Sequence, residues 1–538
     1  MKERIELNSS VESTPETVFP ACHESIPENV WNEILTAGGD FSPEGFINIL
    51  SSNEIKEEIP DYIKDLARIE KAIFDIKSAE IVLPLTSEAD EINPTLQIIE
   101  TGWCNLTSLL DHSVTRKTPD IKRGSEFILI WSDPLSGITK YTPADNNELL
   151  AIKLAVEDED LMSVAKREDV SPGVLSNAMK SAKAMGFILK PQSLIIRNPE
   201  KFKEYEEGFA EYLMSSSFSI QWHITQACDL NCKHCYDRTD RSPMPFDRAA
   251  GILDELYEFC DKMHVNGQIV FTGGNPLLYP DFLRLYKAAV ERGFLVAILG
   301  NPAPRRTLEK IINIQKPHFF QVSLEGLPDH NDDIRGKGHF NRILNFMDIL
   351  KELDIYSMVM LTLTKDNVDQ VIPLANLLNG KADSFFFNRL SMVGQGANLM
   401  LPSKEKYELL LRDYMKEAEN SPIMGLKDNL FNILKHQEDS PLFSGCTGYG
   451  CGAAFNFLAV LSDGEVHACR KFPSPIGNIF EKSLVEIYNS NIAEKYRDGC
   501  SSCQSCSIRP VCGGCLAISH SFGQSIFEDM DPYCFFSS

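Results

Sequence analysis

The chain has 538 residues, 43% of them hydrophobic, and a formal net charge of −24 at pH 7. That length spans several domains at roughly 100–200 residues each, and the apolar content excludes global disorder. The negative charge disfavours nonspecific binding to nucleic acid or to an anionic membrane, which would call for a positive surface. The opening MKERIELNSSVESTPETVF has no apolar run behind its charges, so no secretory signal is expected. No apolar stretch approaches the roughly 18–20 residues that cross a bilayer. A cytoplasmic protein with reduced thiols is expected, in which 15 cysteines point to metal rather than to disulfides.

Residues 1–120 read as mainly helical, for example IKEEIPDYIKDLARIEKAIFDI from Ile55 to Ile76, with apolar residues at helical spacing. They show no chemistry and suit a scaffold or docking domain. Residues 121–205 change pattern. EFILIWSDPLSGITKYT reads as a hairpin with strands on either side of Asp133–Gly137. Three short helical segments follow, the last opening with Ser171 as N-cap and Pro172 in the first turn. A hairpin with three helices looks like a winged helix. The acidic VEDED from Val156 to Asp160 weighs against DNA binding, and the plain reading is a winged-helix spacer.

Residues 215–400 alternate strand-like and helix-like segments. Six strands are expected, at 218–225, 268–274, 294–301, 319–326, 356–364 and 383–391. Six β-α repeats imply a parallel sheet with right-handed crossovers, too few to close an eight-stranded barrel. The fold class is therefore α/β, with a curved and partly open (β/α)6 barrel. Residues 401–445 form a helical linker. Residues 446–538 are cysteine-rich, with one clear hairpin turning at Asp463-Gly464.

The first barrel strand leads into Cys228-x3-Cys232-x2-Cys235. In parallel α/β architectures ligands bind at the carboxyl ends of strands. Three thiolates on one loop can hold three irons of a [4Fe–4S] cluster and leave the fourth open to a small molecule. Zinc is the alternative; it wants four protein ligands, which His223, His234 or a distant cysteine would have to complete. The second constellation is Cys446-x4-Cys451-x12-Gly464-x4-Cys469, then Cys503-x2-Cys506-x5-Cys512-x2-Cys515, then Cys534. Eight thiolates suit two clusters, and by spacing alone they equally suit two zinc sites.

CDLNCKHCY resembles the motif of the radical S-adenosylmethionine (SAM) superfamily. The resemblance implies a partial six-fold barrel, SAM bound to the open iron, and its reductive cleavage to a 5′-deoxyadenosyl radical. TGGNPLL resembles the family's Gly-Gly-Glu-Pro stretch, which implies that Gly273, Gly274 and Asn275 lie at the SAM amino group. Asn275 stands where the family has Glu, so it keeps an acceptor but not the charge, and a weaker contact is expected. Ser323 and Glu325 in QVSLEG match ribose-contacting positions. Arg335 is similar to an arginine that pairs with the SAM carboxylate, and His234 to a ring near the adenine. For each of these four the plain alternative is a polar loop residue.

The C-terminal cysteines resemble the SPASM extension with two auxiliary [4Fe–4S] clusters. The resemblance implies ligand sets Cys446, Cys451, Cys469, Cys515 and Cys503, Cys506, Cys512, Cys534, hence three clusters in all. Here two residues, not the usual three, separate Cys512 from Cys515, and Cys500 stands at ligand spacing before Cys503, so it could replace a ligand. Cys22, Cys104 and Cys260 read as buried structural thiols. The hairpin and helices of 121–205 resemble the RiPP recognition element, which takes a leader peptide as an added strand.

Sulfatase maturases of this group carry Asp after the third cysteine of the first auxiliary set; this chain has Arg470. The expectation is an oxidoreductase that modifies a ribosomally made precursor peptide with a leader sequence, installing a thioether, a carbon–carbon crosslink or a heterocycle. The long N-terminal region and GGNP point to the selenobiotic or thio(seleno)oxazole maturase branch. An electron donor such as flavodoxin or ferredoxin is implied; nucleic acid and membrane partners are not. Two rival readings are an enzyme of the same type acting on a small-molecule cofactor or tetrapyrrole precursor, and a non-catalytic scaffold, which the intact three-cysteine loop disfavours.

Overall fold

The computed structural model of the protein describes residues 14–37, 42–50, 59–79, 81, 83–84, 87–110, 120–202 and 209–536. The chain divides into two compact units, Met1–Gln192 and Ser193–Ser538. Among the described residues no helix is long and apolar enough to cross a membrane.

In the first unit, strands β1 (Glu91–Ile92), β2 (Gln97–Cys104), β3 (Lys122–Ser132), β4 (Thr139–Pro143) and β5 (Ile188–Leu189) make two sheets, β2-β3-β4 and β1-β5, all antiparallel. The hairpin between β3 and β4 turns where Asp133 accepts from the backbone N–H groups of Leu135 and Ser136 while Gly137 takes φ 69°. The helices Asn146–Glu157, Leu161–Glu168 and Pro172–Met185 follow, the last capped by the Ser171 hydroxyl. Leu129, Trp131, Leu154, Leu175, Met179 and Phe187 form their shared core. The helix expected from Ile55 runs Ile63–Ser78, beyond Pro60; residues 55–58 lie outside the described ones. β2 differs from the helical reading of its region. Its partner β3 lies downstream, so within the segment only a short alternation marks it as a strand.

The second unit carries the expected barrel. Strands β6 (Ser217–Thr225), β7 (Asn266–Gly273), β8 (Leu295–Leu299), β9 (Phe320–Ser323), β10 (Ser357–Leu363) and β11 (Ser384–Arg389) are parallel neighbours in chain order. Helices such as Phe246–Lys262 and His339–Glu352 cross between them. Three more strands, β12 (Phe457–Val460), β13 (Glu465–His467) and β14 (Pro475–Asn478), extend the sheet, with β12 parallel to β6, so the described residues form one nine-stranded sheet.

Parallel strands covered on both faces usually read as unbroken apolar runs. β6 does not. Phe218, Ile220, Trp222 and Ile224 are fully buried, and each contributes about 1.5–3 kcal/mol by leaving water. Between them stand Ser219 and Gln221, which line the barrel interior with Gln268 and Val270 of β7, Gln321 of β9, Met358 and Met360 of β10 and Asn388 of β11. The inner face mixes carboxamides with apolar side chains and leaves a chamber.

Candidate functional site

The three-cysteine loop leaves the carboxyl end of β6. Cys228, Cys232 and Cys235 line a cavity of about 400 Å³ with Gly273, Gly274, His234, Ser323 and Arg335. The loop is held on three sides. Gly274 N–H donates to Thr225 O at 2.9 Å and Asn275 N–H to Ala227 O at 2.7 Å. Lys233 N–H donates to Ile334 O at 3.0 Å, and Gln395 N–H to Cys235 O at 2.9 Å.

The glycine pair serves close approach of the backbone to the loop itself. A Cβ on Gly273 would lie 2.3 Å from Thr225 O, and one on Gly274 2.3 Å from Ala227 O. Asn275 is absent from the residues lining the cavity. Its Oδ1 accepts from Leu277 N–H at 3.3 Å and its Nδ2 donates to Asp229 at 3.1 Å. Asn301, at the end of β8, donates to the same Asp229 oxygen at 2.5 Å and comes within 3.7 Å of Cys228 Sγ.

Glu325 also stands behind the cavity, at 1% exposure. It accepts from Arg335 Nε at 2.8 Å and Nη2 at 2.5 Å, and from Thr362 N–H at 2.8 Å. Burial alone would raise its carboxyl, but the charges of His234 and Arg335 and the Thr362 N–H outweigh it and hold Glu325 below the ordinary range. Arg335, so fixed, points Nη1 at Cys232 Sγ, 3.7 Å away. Burial pulls His234 below the usual histidine range, against the pull of Glu325. His223, also considered for metal, faces elsewhere: it is buried, lowered to about 3 by that burial, and 3.0 Å from the Tyr236 hydroxyl.

The chamber continues inward to a second space of about 310 Å³ lined by Cys446, Cys451, Cys469 and Cys515. Cys446 N–H donates to Asn429 at 2.7 Å and Cys515 N–H to Asp531 at 3.0 Å. Burial pushes the thiols of Cys451 and Cys469 up to about 12 and about 11, so a metal must displace their protons. Cys503, Cys506, Cys512 and Cys534 influence one another's ionisation as a second group. Cys500 joins them, 3% exposed and hydrogen-bonded to Cys503. All 15 cysteines are free thiols. Among the described residues no three His, Cys, Asp or Glu groups converge as on a single metal ion. Iron–sulfur clusters do not ask for that, because each iron takes its own thiolate. The donor sets fit them. Cys22 and Cys260 are buried as expected; Cys104, at the end of β2, is only half-buried.

Sequence reasoning missed Asp229, Asn301 and the interior carboxamides. Asn301 follows directly on a strand, where ligand contacts are expected, and Gln221, Gln268 and Gln321 sit on alternate positions of otherwise apolar parallel strands.

Residues 222–378 match the radical SAM superfamily and residues 451–515 the SPASM iron–sulfur cluster-binding domain. The chain therefore carries a radical SAM domain and a SPASM domain, a combination that implies SAM and iron–sulfur clusters. Among its relatives, the AdoMet-dependent heme synthase of Methanosarcina barkeri is 29% identical over 346 residues, 59% of this chain and 96% of that protein. The antilisterial bacteriocin subtilosin biosynthesis protein AlbA of Bacillus subtilis is 24% identical over 322 residues, 56% of this chain and 68% of its own. Streptococcus suis SuiB bound to S-adenosylmethionine aligns with a TM-score of 0.49 at 18% identity, over 76% of this chain and 96% of that one.

Proposed function

We propose that the protein modifies a ribosomally made precursor peptide, holding SAM and a [4Fe–4S] cluster at Cys228, Cys232 and Cys235. That pair supplies, when bound, a 5′-deoxyadenosyl radical able to remove a hydrogen atom from the peptide. Gly273 and Gly274 set the loop, Ser323, Arg335 and His234 offer polar contacts at the cavity wall, and Asn275 and Glu325 act from behind it. Cys446, Cys451, Cys469, Cys515 and Cys503, Cys506, Cys512, Cys534 hold two auxiliary clusters. The winged-helix-like part of the first unit takes the leader segment, and a flavodoxin or ferredoxin in the cytoplasm supplies electrons.

The observation that carries the peptide reading is the interior of the barrel. The side chains of Gln221, Gln268 and Gln321 line it and make no hydrogen bond among the described residues. Each offers a donor and an acceptor, the complement of a peptide amide. Of the chamber's cations, Arg335 is paired with Glu325, and Arg389 with Asp428 and Asp531. Arg238, Lys427, Arg470 and Lys471 line the same space and form no ion pair among the described residues. The peptide reading also agrees with the name of the AlbA relative; the heme synthase relative makes the tetrapyrrole the competing substrate to test.

The test is anaerobic reconstitution with iron, sulfide, SAM and a reductant, followed by assay of 5′-deoxyadenosine against the short peptide encoded beside the gene and against iron coproporphyrin. Deuterium transfer from labelled peptide into 5′-deoxyadenosine is expected, with loss of at least a thousandfold in Cys228→Ala. Transfer from the porphyrin alone would overturn the peptide reading.

A further inference from the structure

Between the two C-terminal cysteine groups lies a buried cluster of three arginines, Arg197, Arg497 and Arg509. They enclose a narrow space with Cys451 on one side and Cys500 and Cys503 on the other. Arg197 is 4% exposed and Arg509 5%. Arg197 donates to the carbonyls of Arg497 at 2.8 Å, Tyr449 at 2.9 Å and Cys451 at 2.6 Å. Its Nε is buried with no partner. Arg497 donates to Ala454 O at 3.2 Å and Tyr488 O at 2.7 Å, and Arg509 to the carbonyls of Lys201 and Asp498. Aromatic faces complete the cage, with the Arg197 guanidinium 4.1 Å from the Phe455 ring and that of Arg509 4.2 Å from Phe202.

Every one of these hydrogen bonds ends on a neutral carbonyl. Among the described residues none of the three guanidinium groups makes an ion pair; the carboxylate acting on Arg509 is that of Asp498. Three cations, two of them almost fully buried, would repel one another and lose hydration with little return. Buried charges are kept where opposite charge is near. The opposite charge on hand is the single Asp498 carboxylate, too little for three cations, and the cysteine sulfurs. Arg197 donates to the Cys451 carbonyl, of the first group, and Cys500 and Cys503, of the second, line the space with Arg509.

We propose that Arg197, Arg497 and Arg509 are the shared counter-charge of the two auxiliary iron–sulfur clusters, positioning residues that raise the reduction potentials of both. The inference rests on the reading that both cysteine groups hold clusters. Cluster potentials follow net charge, hydrogen bonding and exposure, and a fixed cation favours the more negative, reduced form. Because the two groups flank one triad, the electron added to one cluster also repels an electron at the other, so their potentials are coupled.

The experiment is potentiometric titration of the reconstituted full chain, followed by electron paramagnetic resonance, with iron and sulfide measured on the same samples. Arg197→Gln is expected to keep its iron and to lower the reduced-to-oxidised ratio of an auxiliary centre about tenfold at a fixed potential, equivalent to 59 mV for one electron. The SAM-binding centre should not shift. Arg197→Lys, which keeps the charge but not the fork, should recover most of the loss; a merely structural role would leave both variants at the wild-type potential. If Arg197→Gln loses iron, the half-buried Arg497→Gln supplies the measurement. Unchanged auxiliary potentials in an iron-replete variant overturn the proposal. A wild-type chain with only about four irons would instead overturn the two auxiliary clusters themselves.

Discussion

At the scale of single residues, several side chains chosen from motifs act one step behind the cavity. Glu325 is the clearest. Its carboxylate is saturated by Arg335 and the Thr362 N–H, so its work is to aim Arg335 at the cysteine loop. Removing its charge leaves a buried guanidinium uncompensated, and Glu325→Gln should cost about 3–5 kcal/mol. The pH dependence has a definite sign. The folded carboxyl lies below its ordinary value near 4.5, so the pair stabilises above that value and the contribution is lost as pH falls through the folded value. Thermal unfolding from pH 7 down to pH 3 should therefore show the gap between the wild type and Glu325→Gln narrowing below about pH 4.5. A constant gap across that range would assign the effect to packing rather than to charge. Asn275 follows the same pattern. The acid missing from GGNP has a nearby counterpart in Asp229, which both Asn275 and Asn301 hold.

At the scale of elements, β7 and the cysteine loop are locked by backbone contact. In Gly274→Ala the new Cβ would meet two carbonyl oxygens, Ala227 O at 2.3 Å and Gln226 O at 2.6 Å, and neither can rotate away as a side chain could. Overpacking of this kind costs about 1–3 kcal/mol, which a unit with this much core withstands. The expected result is a folded protein that loses about one cluster's iron and its 5′-deoxyadenosine production, while the iron of the C-terminal groups stays. Full iron with full cleavage would show that the loop tolerates the shift. The six barrel strands were legible to within a few residues, because each is a strand-length segment rich in apolar and β-branched residues followed by a helical stretch. The cysteine loop was legible because its ligand spacing is local. β2 and the pairing of β12 with β6 were not, since each depends on a partner far away in sequence. Gln221, Gln268 and Gln321 were overlooked for a related reason: each is unremarkable alone, and only their convergence in the barrel gives them meaning.

At the scale of the second unit, the barrel and the cysteine-rich segment are joined through one buried ionic network as well as through the shared sheet. Arg389, the last residue of β11, pairs with Asp428 of the linker at 2.8 Å and with Asp531 near the C-terminus at 2.9 and 2.7 Å. Arg389 and Asp531 are buried and Asp428 partly so, and the Tyr407 and Tyr533 rings flank the guanidinium at 5.3 and 5.6 Å. Asp531 also accepts from Cys515 N–H, so one carboxylate ties the last barrel strand to the first C-terminal cysteine group. Such a network adds little over a packed apolar core when intact, but breaking it by one partner is costly, about 3–5 kcal/mol. Asp531→Ala should act at two places at once. It removes half the neutralisation of Arg389 and frees the backbone that presents Cys515. The expected outcome is a lower melting temperature together with preferential loss of iron from the group containing Cys515, while the signal of the Cys228–Cys235 loop survives. The double variant Asp531→Ala/Arg389→Met also removes the stranded cation. It should recover part of the melting temperature but not the lost iron, because the Cys515 N–H still lacks its acceptor. Recovery of both would mean that Asp531 serves only to neutralise Arg389, and recovery of neither that the packing of the two segments depends on the ion pair itself.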